Sequence, residues 1–440
     1  MGSRADEADD SPLQCGADAA KHFAFADGYR NLNHGSYGTY PKEVRSVLRD
    51  FQERVEARPD NFIRHEYRTG LLDKSRAAIA DYLGIPPNSC ALVPNATTGV
   101  ETVLRNLVFE EGEVMICFPD VYPAFANTMD YLSKRSPLEF RQIDYTLPVS
   151  DDHVCEMLEN TINAIKSQNK RPKVALFDTI SSIPGARMPF ERLTAICRSN
   201  NVLALIDGAH SAGQIPLDLN ALDPDFFVSN LHKWGYVPRG CAVLYVPERN
   251  HHIMKTTLPT SFGYGASFAN NFSDTGTLDN TPYICVPAAL NWRKRLMWGD
   301  KKGDEAVKAY LPYLAREGGA AVAKYLGTEV LENDERTLGN CSLTNVRLPL
   351  SVDGITGGDS VKVEKITAWM MRHMIEENET AVYVYSYGGN WWVRLSAQVY
   401  LTKDDFMHAA KMLEKTCQRV KDGSWQGKDV NMDAVRLAEQ

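Results

Sequence analysis

Between about residue 70 and residue 250, short aliphatic runs alternate with longer segments of helical spacing. LLDKSRAAIADYLG (71–84) spaces its apolar residues three and four apart and predicts a helix stopped by Gly84; CALVPN predicts a short strand and TTGVETVLRNLVF a second helix. EVMICFPD, KVALFDTISS, VLALIDGAH, DFFVSNLHKW and GCAVLYVP all read as strands, most of them ending in polar or small residues. Strands alternating with helices predict an α/β fold with a mainly parallel sheet, whose ligand chemistry sits at the strands' carboxyl ends. From about residue 310 the pattern changes. YLPYLAREGGAAVAKYLG reads as a helix, and SLTNVRLPL, AVYVYSYGG and WWVRLSAQVY read as strands bracketing EKITAWMMRHMIEE, which predicts a smaller α+β C-terminal domain.

The first twenty residues are polar and acidic, with neither an apolar signal core nor an Arg-rich transit pattern, and predict a disordered leader over 1–20. A large domain is expected over 21–300, the small one over 301–425 and a tail over 426–440. With 440 residues, 44% of them hydrophobic and 24% charged, the chain can bury a large core. Its net charge of -8 and lack of a basic stripe argue against a nucleic-acid partner. No apolar run approaches the roughly 20 residues that span a bilayer, so no membrane partner is expected. Nine cysteines scattered without a CxxC pair read as reduced thiols of a cytoplasmic protein, with no disulfide framework and no metal site.

Candidate chemistry gathers at the strand ends. Lys233, in VSNLHKWGYVPRGCAVLYV, stands inside an apolar run. Either it snorkels to the surface, or it is held dry, where the ammonium form is costly and the neutral amine is a nucleophile. PNATTGVETVLRNL runs from a strand into a helix, which places the amides of Ala96, Thr97 and Thr98 at a helix N-terminus; that is an anion cradle or an ordinary hydroxyl cap. Asp207 ends the apolar strand of LIDGAHSAG, where it either accepts from a protonated ring nitrogen or caps a helix. Cradle, acid and lysine, all on strand ends of one sheet, are the parts that hold pyridoxal 5′-phosphate.

At NLNHGSYGTYP, NATTGVETVLRNL, DTISSIPG, DGAHSAGQIPLDL, SNLHKWGYVPRG and GTLDNTPYICV the chain resembles the class V aminotransferase family of pyridoxal-phosphate enzymes. Within it, YRNLNHGSYGT and VRLSAQVYL are similar to the fungal carbon–sulfur lyases of ergothioneine biosynthesis and to isopenicillin N epimerase-like proteins. The resemblance implies a fold type I enzyme with a seven-stranded, mainly parallel sheet. By the same likeness Lys233 would form the internal aldimine and shuttle the Cα proton, and Asp207 would pair with the pyridine nitrogen. His210 would lie near the ring's 3′-oxygen, while Ala96, Thr97, Thr98 and His232 would hold the phosphate. Thr277 would reach the phosphate of a neighbouring subunit, implying a homodimer with shared active sites. Arg394 would bind the substrate α-carboxylate, Asn33 and His34 would line the substrate mouth, and Arg64 would add positive charge. Tyr122 would cover the ring or donate a proton; its alternative is core packing.

The outcome of the shared Cα carbanion stays open between several reactions. A sulfur leaving group on Cβ makes a carbon–sulfur lyase, the leading expectation, acting on a cysteine sulfoxide conjugate. Attack on an iminium carbon makes a ring-closing enzyme of fungal alkaloid metabolism; reprotonation makes an epimerase or an aminotransferase. A desulfurase needs a mobile nucleophilic cysteine, and the best-placed one, Cys341, opens an apparent strand. A silent scaffold would have no use for the intact lysine, aspartate and arginine. Tyr383, Tyr385, Tyr387, Trp391 and Trp392 form either strand core or an aromatic wall for a cationic substrate.

Overall fold

One sheet takes up seven strands: β1 (Cys90–Val93), β2 (Glu113–Cys117), β3 (Glu139–Gln142), β4 (Arg171–Asp178), β5 (Leu203–Asp207), β6 (Phe226–Asn230) and β7 (Ala242–Tyr245). Their spatial order is β1-β7-β6-β5-β4-β2-β3, parallel throughout from β3 to β6, with β7 antiparallel to both of its neighbours. This computed structural model describes residues 11–119, 121–255, 264–265 and 267–427. Parallel strands are covered on both faces, which is why their sequences read as unbroken apolar runs. Leu205, Phe226 and Val228 pack on one side of the sheet, Ile206 and Phe227 on the other.

Three helices follow strand ends and matter for the site: α1 (Ala96–Asn106), α2 (Pro123–Ser133) and the four-residue α3 (Leu231–Trp234). The second part of the chain adds α4 (Gly303–Leu326), β8 (Leu343–Ser351), α5 (Ser360–Glu376), β9 (Tyr383–Tyr387), β10 (Asn390–Ser396) and α6 (Lys403–Lys421). Strands β8, β10 and β9 form an antiparallel sheet in that order. Its apolar residues Val393 and Leu395 join the same core as Ile206 and Phe227. Among the described residues no helix is long and apolar enough to cross a membrane.

The expectation of a disordered leader over 1–20 is corrected for its described part. Leu13–Gln14 pairs in parallel with Leu296–Met297, and Leu13 and Ala19 are buried; two apolar side chains and a strand partner outweigh the polar composition around them. Residues 1–10 and 428–440, the rest of the expected leader and nearly all of the expected tail, lie outside the described residues. Farther along, Arg30–Asn31 pairs with Thr380–Ala381, so the N-terminal segment binds to the C-terminal part and passes over the ends of the large sheet's strands.

Candidate active site

The last residues of β4, β5 and β6 are Asp178, Asp207 and Asn230, and the chain turns from Asn230 directly into α3, which carries Lys233. These ends open into a cavity of about 530 Å³, within the range of small-molecule sites. Of the residues expected from the sequence, Ala96, Thr97, Tyr122, Asp207, His210, His232, Lys233 and Arg394 line it.

Lys233 is held dry. Burial, with the nearby Arg394 guanidinium, pushes its amine down to about 8, while Asp207 and Asp178 pull the other way. Its Nζ lies 3.0 Å from His210 Nε2. Burial raises the Asp207 carboxyl above the ordinary range, opposed by the Ala209 amide, which donates to it at 2.8 Å, and by the charge of Lys233. A cationic ring nitrogen against Asp207 would supply the missing counter-charge and return the carboxylate form.

The phosphate end differs from the expected cradle of three amides. The Ala96 amide donates to Asn230 Oδ1 at 2.9 Å, and the Thr98 amide donates to Asn95 Oδ1 at 2.8 Å, because Asn95 is the N-cap of α1. Only the Thr97 amide of the three makes no hydrogen bond among the described residues. Thr98 does not reach the cavity; its hydroxyl also donates to Asn95. His232 donates through Nδ1 to the Cys241 carbonyl at 3.0 Å, leaving Nε2 as an acceptor in a ring that burial pushes down to about 4. A phosphate dianion there would draw a proton onto Nε2.

Arg394 closes the opposite side. It is 1% exposed, donates to the Ser182 carbonyl, Asn33 Oδ1 and Ser36 Oγ at 2.8, 3.0 and 2.8 Å, and lies over the Tyr383 ring. Its Nε is buried with no partner, and it forms no ion pair with a carboxylate among the described residues. Gly185 permits this approach, since a side chain there would meet Arg394 Cδ at 2.9 Å. The Arg394 Nη atoms are held by neutral acceptors only among the described residues, so a carboxylate would bind the planar fork by displacing them. Asn33 thus acts through Arg394 and does not line the cavity.

One other expectation changes. His34 is not at the substrate mouth: it is wholly buried and donates through Nε2 to the Lys233 carbonyl, because the segment bearing it is packed beneath α3. Arg64 sits on a π-helical stretch, Phe62–Leu71, exposed and paired with Asp60 at 3.2 Å, outside the cavity of its own chain. Thr277 is exposed and likewise outside it. Of the five aromatics near the C-terminus, Tyr383 alone lines the cavity; Trp391 is core, and Tyr385 and Trp392 pack with Leu147 and Ala186.

Sequence reasoning missed Asp178, Ser36, Tyr37, Ser182 and Asn230, all of which line the cavity. Asp178 had a legible signal, since it ends a buried strand in an acid just as Asp207 does, and the two are register partners. Ser36 and Ser182 had none, because they act only once Arg394 is brought to them.

An amine held dry, an acid one strand away, a free amide at a helix start and a buried guanidinium with only neutral partners among the described residues fit a pyridoxal phosphate and an amino acid together. Sheet and site define a fold type I pyridoxal-phosphate enzyme. Residues 38–338 match the family model for aminotransferase class-V, and the chain belongs to that family. It is 36% identical over 436 residues to the L-cysteine desulfhydrase-like protein lolT1 of Epichloe uncinata, covering 90% of this chain and 95% of the relative. It is 27% identical over 411 residues to hercynylcysteine sulfoxide lyase of Schizosaccharomyces pombe, covering 91% and 98%. It is also 25% identical over 399 residues to isopenicillin N epimerase of Streptomyces clavuligerus, covering 87% and 94%. In fold it is similar to a cystine C–S lyase solved with cysteine persulfide, at a TM-score of 0.72, 19% identity and coverage of 88% and 98%.

Proposed function

We propose that this enzyme is a carbon–sulfur lyase that cleaves the Cβ–S bond of an S-substituted cysteine or its sulfoxide. One observation carries the reading: the cavity joins a dry lysine to a buried guanidinium that has no ion pair among the described residues, and none of the nine cysteines lines it. The first two groups suit an amino acid, and the third leaves no enzyme thiol to receive sulfur. Relatives named as an L-cysteine desulfhydrase-like protein and a sulfoxide lyase support the same class.

Bound pyridoxal phosphate supplies the electron sink that makes a Cα–H acidic. Asp207 would keep the ring nitrogen protonated, and the Thr97 amide and His232 would hold the phosphate. Arg394 would bind the α-carboxylate, setting the Cα–H toward Lys233, whose neutral Nζ takes the proton. The Cβ–S bond then breaks with its electron pair on sulfur. With one water, a cysteine sulfoxide conjugate yields a sulfenic acid, pyruvate and ammonium; a thioether yields a thiol in place of the sulfenic acid. Tyr122, 39% exposed at the start of α2, has a hydroxyl that partial burial keeps protonated, as a proton donor or a cover for the ring needs.

Two chains would share their sites. Arg64 and Thr277 belong to segments tied together outside their own cavity, where Arg68 pairs with Asp274 at 3.4 Å and Gln52 Nε2 donates to Asp279 at 3.1 Å. Their exposure leaves them available to a second copy.

A second reading, ring closure on an iminium carbon, draws on the three tyrosine rings at the cavity, Tyr37, Tyr122 and Tyr383, since ring faces attract cations. Coupled assay of pyruvate from a panel of S-substituted cysteines and their sulfoxides separates the two. Pyruvate release that Lys233→Ala abolishes is the expected result; cofactor-loaded enzyme that releases none from any of them would reject the lyase reading.

A further inference from the structure

Helix α3 has only four residues, so its last carbonyls have no acceptor role inside the helix and must be satisfied from elsewhere. The Leu231 carbonyl accepts from the Gly235 amide at 3.0 Å. The Lys233 carbonyl accepts from His34 Nε2, and the Trp234 carbonyl from Arg293 Nη1 at 3.1 Å. Both donors are buried side chains from distant parts of the chain, at 0% and 2% exposure. The two peptide units that flank Trp234, the first of them the Lys233–Trp234 link itself, are thereby held by separate donors.

His34 is itself held. Burial pushes its imidazole down to about 3, so the ring is neutral with a single N–H. A carbonyl can only accept, which places that proton on Nε2 and leaves Nδ1 to accept from the Tyr400 hydroxyl at 3.0 Å. Four residues on, Gly38 has a φ of 63°, and a side chain there would collide with the His232 carbonyl. Arg239 donates to the Gly38 carbonyl at 2.9 Å. The same short segment supplies Asn33 and Ser36 to Arg394. Residues 33–38 therefore touch the backbone that bears the lysine and the guanidinium across the cavity from it.

We propose that His34 is a positioning residue: its Nε2–H fixes the Lys233 carbonyl, and so the direction from which the Lys233 side chain enters the cavity. The inference rests on Lys233 being the residue that joins the cofactor. A lysine has four rotatable bonds, and fixing its backbone origin removes the largest lever arm on the position of Nζ. Misplacing a reacting atom by an ångström costs up to about a hundredfold in rate.

The test compares His34→Leu, which fills the space without an N–H, with His34→Gln, which returns an N–H at the end of a side chain of similar reach. The rate at which apoprotein captures pyridoxal phosphate is followed by visible absorption and by the mass of the borohydride-reduced adduct. His34→Leu is expected to capture it roughly ten- to a hundredfold more slowly and to lower kcat with KM for the amino acid unchanged, and His34→Gln to restore most of the rate. Capture by His34→Leu at the wild-type rate, or His34→Gln as slow as His34→Leu, would overturn the proposal. Should His34→Leu fail to fold, Tyr400→Phe replaces it, with a slowing of roughly three- to tenfold expected from loss of the hydroxyl that orients the ring, and a wild-type rate counting against the proposal. Lys233→Ala keeps the two ideas apart: an adduct still formed in that variant refutes the role of Lys233, whereas a Lys233-dependent adduct at the normal rate in His34→Leu refutes only that of His34.

Discussion

His210 Nε2 lies 3.0 Å from Lys233 Nζ, and the far side of the imidazole decides which of the two atoms supplies the hydrogen. Trp234 Nε1 donates to His210 Nδ1 at 3.3 Å, so Nδ1 is an acceptor. Burial, reinforced by the charge of Lys233, holds the His210 ring well below its ordinary range and therefore neutral. A neutral ring that accepts at Nδ1 carries its proton on Nε2, and that proton points at the lysine nitrogen. The partner it suits is an amine with a free lone pair, not an ammonium.

Capture of pyridoxal phosphate by the apoprotein follows from this. The neutral amine is the reactive form, and burial lowers its pKa from 10.5 to about 8. Below that value the ammonium predominates, so the capture rate should rise with pH through about 8 and level off above it. Stopped-flow absorbance across a pH series measures the midpoint. A rate still climbing steeply near pH 10 would mean that Lys233 is an ordinary exposed lysine.

The fold was legible wherever burial on both faces left an uninterrupted apolar run, as at 202–206, and the lysine and acid were legible because they interrupt or end such runs. The edge strand β3 was not: Glu139, Phe140 and Gln142 are exposed, and an edge strand has no second apolar neighbour to advertise it. The first described residues were misjudged because composition is an average, whereas two buried side chains suffice to hold a strand. The resemblance alone put His34 at the mouth, since NLNHGSYGTYP matches a family motif without saying which way each side chain turns. The true partner of His34, a backbone carbonyl 199 residues away, leaves no mark on the sequence. The same holds for Asn230, whose side chain takes the amide assigned to phosphate.

Arg394→Lys tests the carboxylate site. Lysine keeps the charge but loses the planar fork whose neutral partners, Ser182, Asn33 and Ser36, a carboxylate would displace. Loss of one charge-assisted hydrogen bond is worth about 1.5–3 kcal/mol, or roughly a ten- to hundredfold rise in KM for amino-acid substrates. The cofactor spectrum should not change. Steady-state kinetics beside a spectrum of the loaded protein measure both, and an unaltered KM would remove the carboxylate role.

Sulfur chemistry should not pass through an enzyme thiol. Cys341 is wholly buried, and burial pushes its thiol up to about 12, so the thiolate is scarce at neutral pH. Cys341→Ala is expected to keep turnover within about twofold while costing about 1 kcal/mol of stability from the lost side-chain volume. Pyruvate assays and thermal melts report the two quantities. A collapse of turnover with an unchanged melt would instead point to transfer of sulfur onto the protein.

The proposed sharing of sites between two chains makes a prediction that a self-contained monomer cannot satisfy. Lys233 belongs to the cavity of its own chain, whereas Thr277 is exposed and outside that cavity. If Thr277 serves the phosphate of a partner, Lys233→Ala and Thr277→Ala should each lack most activity as pure proteins, the second through weak retention of the cofactor. Unfolding and refolding them together would form mixed dimers in which the Thr277→Ala chain contributes an intact lysine and the Lys233→Ala chain an intact threonine to one and the same site. Activity should then reappear, up to about half the wild-type value per mixed dimer, because the other site carries both defects. A threonine acting within its own chain gives no such recovery, since every intact lysine would still sit beside a missing hydroxyl. Sedimentation of the mixture alongside the pyruvate assay distinguishes failed pairing from failed complementation, and paired but inactive chains would end the shared-site reading.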